Sequence, residues 1–262
     1  MLTRFRRFAP YVVPLFFGGC LFVVATTVHS VRPELRVLVL TVLSGVTVSI
    51  IGAAAFLAAR VARMSSRRAM HVALTPIIFT AGTLSVFMLV EHNVTRYVIA
   101  VIALGLLCAH FASVLAMRGE IARYGHEELG HLSFVLQVIA SFFGFAFAFG
   151  VSAFTTLPQA VVAVATGISV MLFTRERLWS EGFSSEQTSA IAIAIGILGT
   201  EFFFALSFLP TTWAVNAAVA LILLVSGLHA TVRILKGTAL LRRQFAFTFI
   251  LILLVLGTAR WT

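Results

Sequence analysis

The chain has 262 residues, 60% of them hydrophobic and only 11% charged, with a formal net charge of +10 and a mean hydropathy of +1.06. Soluble domains are roughly a quarter charged and under half apolar, so this composition excludes an ordinary water-soluble fold. It equally excludes a disordered chain, a collagen-like repeat and, with two cysteines, a secreted disulfide scaffold. A polytopic membrane protein is what remains.

A helix needs ~20 apolar residues to cross ~30 Å of hydrocarbon. Nine stretches approach that length, at about 11–30, 37–59, 72–90, 97–117, 133–154, 160–174, 190–209, 213–230 and 245–261. The sixth and ninth are short, and the sixth can run on through Arg175 to an interfacial Trp179. Apolar residues fill each stretch without alternation, which predicts helices rather than barrel strands. The expected fold is all-α: a single integral membrane domain over 1–262, built as a bundle of about nine helices. Arg4, Arg6 and Arg7 before the first stretch fit a signal peptide less well than a first span, because the run from Tyr11 to Ser30 is long for a signal core.

Basic residues test this division. With the N-terminus inside, segments 1–10, 60–71, 118–132, 175–189 and 231–244 hold fifteen of the 19 Lys and Arg residues, and only Arg32, Arg36, Arg96 and Arg260 fall outside. That asymmetry predicts N-inside, C-outside. It also explains the net charge as an orientation signal and predicts anionic lipid headgroups as partners at the cytoplasmic face. Nucleic-acid binding would require a basic folded domain, which the sequence lacks. The segments between spans are too short for a core of their own, so any ligand is met within the bilayer or at its surfaces.

Familiar chemical motifs fail on spacing. His126-Glu127-Glu128-Leu129-Gly130-His131 resembles the H-E-x-x-H zinc signature, but its second His stands at i+5 rather than i+4, about 140° further round a helix. The stretch reads as a solvated loop. Asn93-Val94-Thr95 is a formal glycosylation sequon pressed against the membrane. No phosphate loop, dinucleotide fingerprint or G-x-S-x-G occurs, and Asp is absent, so no cofactor, metal or catalytic residue is assigned. Cys20 and Cys108 read as small apolar residues within spans one and four.

Polar groups inside spans carry the functional expectations. Glu201 is the one acid in a span interior, ~12 Å below the outer surface at 1.5 Å per residue. An ionised carboxylate there costs at least ~2.5–3.5 kcal/mol, so it should be protonated, paired or facing a wet cavity. Asn216, across the Leu209-Pro210-Thr211-Thr212 turn, is its candidate partner, and a proton or cation carrier is the functional reading. His110 in span four and Gln137 in span five lie at similar depth and are expected to hydrogen-bond, with a proton relay as the alternative use. His229 reads as interfacial, and Glu91, His92 and Arg96 as a solvated outer cluster. Small residues recur every four positions at Ala140, Gly144, Ala148 and Ser152, at Gly45, Ser49 and Ala53, and at Ala192, Gly196 and Thr200. They predict close helix packing, or oligomer contacts. Pro14, Leu21, Val23, His29 and Val31 align with Pro76, Leu84, Val86, His92 and Val94, which raises a hairpin repeat.

Glu201, the Leu209-Pro210 turn, a basic loop and a final helix ending at Arg260-Trp261 resemble the C-terminal part of an uncharacterised family of small multi-helix bacterial membrane proteins. The likeness covers about 60 of 262 residues; it implies the architecture and a bacterial inner membrane, and no activity. The best functional expectation is a small-solute or proton-coupled transporter using Glu201. The alternative is a non-catalytic scaffold or subunit that binds lipid, a protein partner or a second copy, and an intramembrane enzyme comes third for want of a nucleophile–base or metal set.

Overall fold

The computed structural model describes residues 12, 15–19, 33–90, 92–116, 122–238 and 242–259. Every regular element among them is an α-helix. In chain order they are α1 (described over 15–19), α2 (Pro33–Val61), α3 (Ser66–Leu89), α4 (Asn93–Ala116), α5 (Ala122–Phe154), α6 (Gln159–Ser180), α7 (Ser185–Ser207), α8 (Trp213–Leu235) and α9 (Arg242–Thr258). Six of them, α2, α3, α4, α5, α7 and α8, are long and apolar enough to cross a membrane. The apolar part of α6 ends at Thr174, before Arg175-Glu176-Arg177, and α9 has 17 residues. The helix does run on past Arg175 and includes Trp179. The protein is a multi-pass, all-helical membrane bundle.

The expected loops shrink, because helices extend into them. Residues 122–131, read as a solvated loop, are the first turns of α5. Segment 175–189 reduces to the turn 181–184, and 60–71 to 62–65. Basic and acidic residues at these ends are compatible with helix, since the intrahelical bonds satisfy the backbone on either side of the hydrocarbon boundary.

The chain forms two compact units, Met1–Ala140 and Ser141–Thr262. In the first, α2 and α3 make the tightest pair. Gly52 is buried, and a Cβ placed there would come within 2.7 Å of the Ile77 side chain, so the glycine is the hole that receives Ile77. Ile51, Ala55, Ala59, Phe79, Leu84 and Phe111 extend this core. In the second unit, α6 and α7 meet backbone to backbone. A Cβ on Gly167 would stand 2.8 Å from the Gly196 carbonyl, and one on Gly196 equally close to Met171. In hydrocarbon such close approach replaces the hydrophobic drive as the source of helix association. Ser226 and Thr248 share a 2.9 Å hydrogen bond that fastens α9 to α8.

The expected small-residue faces fare differently. Ala192 and Gly196 are buried against α6 as predicted. Gly45, Ser49 and Ala53 are all exposed, because their stripe lies roughly a third of a turn from the face that meets α3. On α5, Ala140 and Ala148 are buried and Gly144 is exposed. Arg96, expected in a solvated cluster, is 4% exposed and donates from Nε to the Val90 carbonyl at 2.6 Å, so the chain end of α3 satisfies it. The first half of the proposed hairpin repeat, Pro14, Leu21, Val23, His29 and Val31, lies outside the described residues.

Candidate functional site

The polar interior of the first unit begins with a proline. Pro76 lies inside α3, where it has no N–H to give the Val72 carbonyl four residues earlier. The opened backbone acceptor must be met by something else at that depth. His110 of α4 is fully buried, and its ring approaches the Val72 backbone without completing hydrogen-bond geometry. Neither Nδ1 nor Nε2 has a partner. A neutral imidazole carries one donor and one acceptor, and each buried polar atom left unmade costs about 1–3 kcal/mol.

One helical turn further along α3, Gln137 of α5 donates from Nε2 to Thr75 Oγ1 at 3.3 Å. Both side chains are buried. The expected His110–Gln137 bond is therefore not made: the two are held against α3 within one turn of each other, and Gln137 takes Thr75 instead. Thr80 and Thr83 of α3 are also buried. Thr83 donates to the Phe79 carbonyl at 2.8 Å, while the Thr80 hydroxyl has no partner. This arrangement offers an imidazole with two open nitrogens, an amide and a row of hydroxyls beside a broken backbone ladder. Such groups can bind a hydrogen-bonding solute or take up and return a proton. The helix-breaking Pro76 and the threonines at 75, 80 and 83 were the readable signal, hidden because Thr and Pro are tolerated in many spans.

Glu201 and Asn216 are not brought together. Glu201 is exposed on α7, amid the exposed Ile197, Leu198, Phe204 and Phe208. Asn216 of α8 is buried and accepts at Oδ1 from Thr211 Oγ1, which closes the α7–α8 turn locally. His229 is exposed. At the opposite end of the second unit Glu181 pairs with Arg177 and accepts from Lys236 Nζ at 2.6 Å, tying the end of α6 to the end of α8. Burial pushes the Glu181 carboxyl up, but the Lys236 hydrogen bond and the charges of Arg177 and Lys236 outweigh it and hold it below its ordinary value. No cluster of three or more His, Cys, Asp or Glu side chains suited to a metal occurs among the described residues.

The architecture and this interior define a class: a multi-pass membrane helix bundle with polar groups buried in its first unit. No family model, curated protein or solved structure matches the chain.

Proposed function

We propose that the protein is a small-solute carrier coupled to protons, with His110 as the titrating group and Gln137, Thr75 and Thr80 as solute-facing hydrogen-bonding groups. One observation supports it: His110 is fully buried with both ring nitrogens unpartnered beside the carbonyl that Pro76 releases. Ionisable residues inside spans mark transport and proton paths more often than they mark simple packing. A proton taken up by an imidazole in an apolar wall is stabilised when an anionic or strongly accepting solute arrives, and that mutual stabilisation is the coupling. His110 takes the role that the sequence suggested for Glu201, because His110 is fully buried while Glu201 is exposed on α7. We place the carrier in a cell membrane, the bacterial inner membrane on the family likeness, N-inside and C-outside, with its basic turns against anionic headgroups.

Uptake into proteoliposomes under an imposed pH gradient tests the reading, using a panel of amino acids, organic acids, sugars and nucleosides. The wild type should accumulate at least one of them in response to the gradient. His110→Asn should lose the response while keeping its melting temperature within a few degrees. No gradient-driven uptake across the panel, or full uptake by His110→Asn, would overturn it.

Glu201 favours a second reading, a membrane subunit. A carboxyl on an apolar face is stabilised by a hydrogen bond from a helix of a partner or of a second copy. Cysteine crosslinking from position 197 in native membranes should then give a discrete product that Glu201→Leu reduces.

A further inference from the structure

The α6–α7 hairpin of the second unit matches the α2–α3 hairpin of the first at a constant shift of 119 residues. Thr47 donates to the Leu43 carbonyl, and Thr166 to that of Val162. The α2–α3 turn places Arg63 at φ 63°, and the α6–α7 turn places Gly182 at φ 89°. In each, the next residue closes the same backbone bond: Met64 N–H to Ala59 at 3.1 Å, Phe183 N–H to Leu178 at 3.3 Å. Ser65-Ser66 and Ser184-Ser185 then open the next helix. Where Gly52 receives Ile77, Gly196 is packed by Met171, so the hole and the knob have exchanged sides at one shared contact.

This register aligns two interiors of opposite polarity. Thr80 and Thr83 of the first unit correspond to Gly199 and Phe202 of the second. Gly199 and Phe202 line a cavity of about 170 Å³ in the second unit, together with Phe145, Leu224 and Gly227 among others. Its one hydroxyl, Thr231, is already spent on the Gly227 carbonyl at 2.8 Å. A polar ligand entering here would exchange its water for no partner. An apolar cavity of ~150 Å³ stays dry and takes a benzene-sized hydrocarbon, so this one suits a hydrocarbon segment.

Its shape and mouth indicate where that segment comes from. The lining runs along α8 from Ala220 to Thr231, which is ~16 Å parallel to the helix axis. Leu198 and Phe202, each about half exposed, and the exposed Gly227 stand at its edge. The opening therefore faces sideways from α7 and α8, toward hydrocarbon rather than an aqueous end. We propose that this cavity is a binding site for the acyl chain of a membrane lipid, standing where the first unit has its threonines.

Photolabelling of the full chain in phosphatidylcholine nanodiscs tests this, with a fraction of the lipid carrying a diazirine on its acyl chain. Mass spectrometry should place the adducts mainly on Gly199–Phe203 and on 223–228. Gly227→Leu fills the space, and a Cβ at 227 meets no atom within 4 Å, so the fold tolerates it; adducts at these segments should fall at least fivefold. Leu224→Ala, which enlarges the cavity, should raise them. Adducts spread evenly over Ile193, Ile197, Phe204 and the cavity would mean annular lipid only and overturn the proposal. Labelling unchanged in a folded Gly227→Leu would do the same.

Discussion

Two turn residues show how one backbone need is met at different cost. Arg63 and Gly182 both hold the left-handed conformation that ends a helix, and a side chain there costs roughly 1–2 kcal/mol that glycine avoids. The turn around Arg63 is fastened by Arg60, whose Nη1 donates to the Met64 carbonyl at 3.0 Å. Arg63→Gly should therefore raise stability by about 1 kcal/mol, and Gly182→Ala should lower it by a similar amount, both read as melting-temperature shifts in detergent. Glu181 gives a pH dependence of known sign. Its carboxyl is held below the ordinary value, so its pairing stabilises the fold above the unfolded value of ~4.3 and is lost as pH falls through the lower folded value. The pair with Lys236 is partly exposed, which limits its worth to under about 1 kcal/mol. Melting curves from pH 3 to 7 should show this loss, and Lys236→Met should flatten it. At this scale the sequence made His110, Gln137 and Glu201 visible as polar letters in apolar runs. The partners it suggested are not those the structure brings together, since Gln137 takes Thr75 and Asn216 takes Thr211. Which side chain meets which across helices is not written in local order.

Helix pairing divides glycines into those that hold contacts and those that do not. Gly167 and Gly196 have no room for a methyl group between α6 and α7. Gly167→Val or Gly196→Val should cost at least about 2 kcal/mol through overpacking, seen as lower melting temperature and reduced monodisperse yield. Gly45 and Gly144 meet nothing within 4 Å, so their Ala variants should be neutral, or more stable by up to ~1 kcal/mol from helix propensity. A normal melting temperature for Gly196→Val would refute the close α6–α7 contact. Spacing by four residues marked Gly45, Gly144 and Gly196 alike and did not mark Gly167. Periodicity fixes which residues share a face, while the helix that covers the face is chosen by shape, and Gly52 with Ile77 is a pairing that no spacing rule contains.

For the molecule as a whole, alternation of apolar helices and short turns dictates the topology. Reporter fusions within the turns 62–65 and 181–184 should both read cytoplasmic, and fusions within 155–158 should read external. An external signal at 62–65 would reverse the proposed orientation. The membrane-spanning class, the helical architecture and six of the nine expected spans follow from sequence alone, because hydrocarbon leaves a backbone no alternative to internal hydrogen bonding. Helix ends lay beyond that reach: 122–131 became helix where polarity suggested loop, since polar residues at a membrane surface are equally stable in either form. Tertiary structure alone placed an open imidazole against the Pro76 break and left Glu201 facing outward. It also gave the first unit a polar interior and the second an apolar cavity. These depend on which side chains meet across helices, and contacts between distant residues are decided by packing in three dimensions rather than by the local order of the chain.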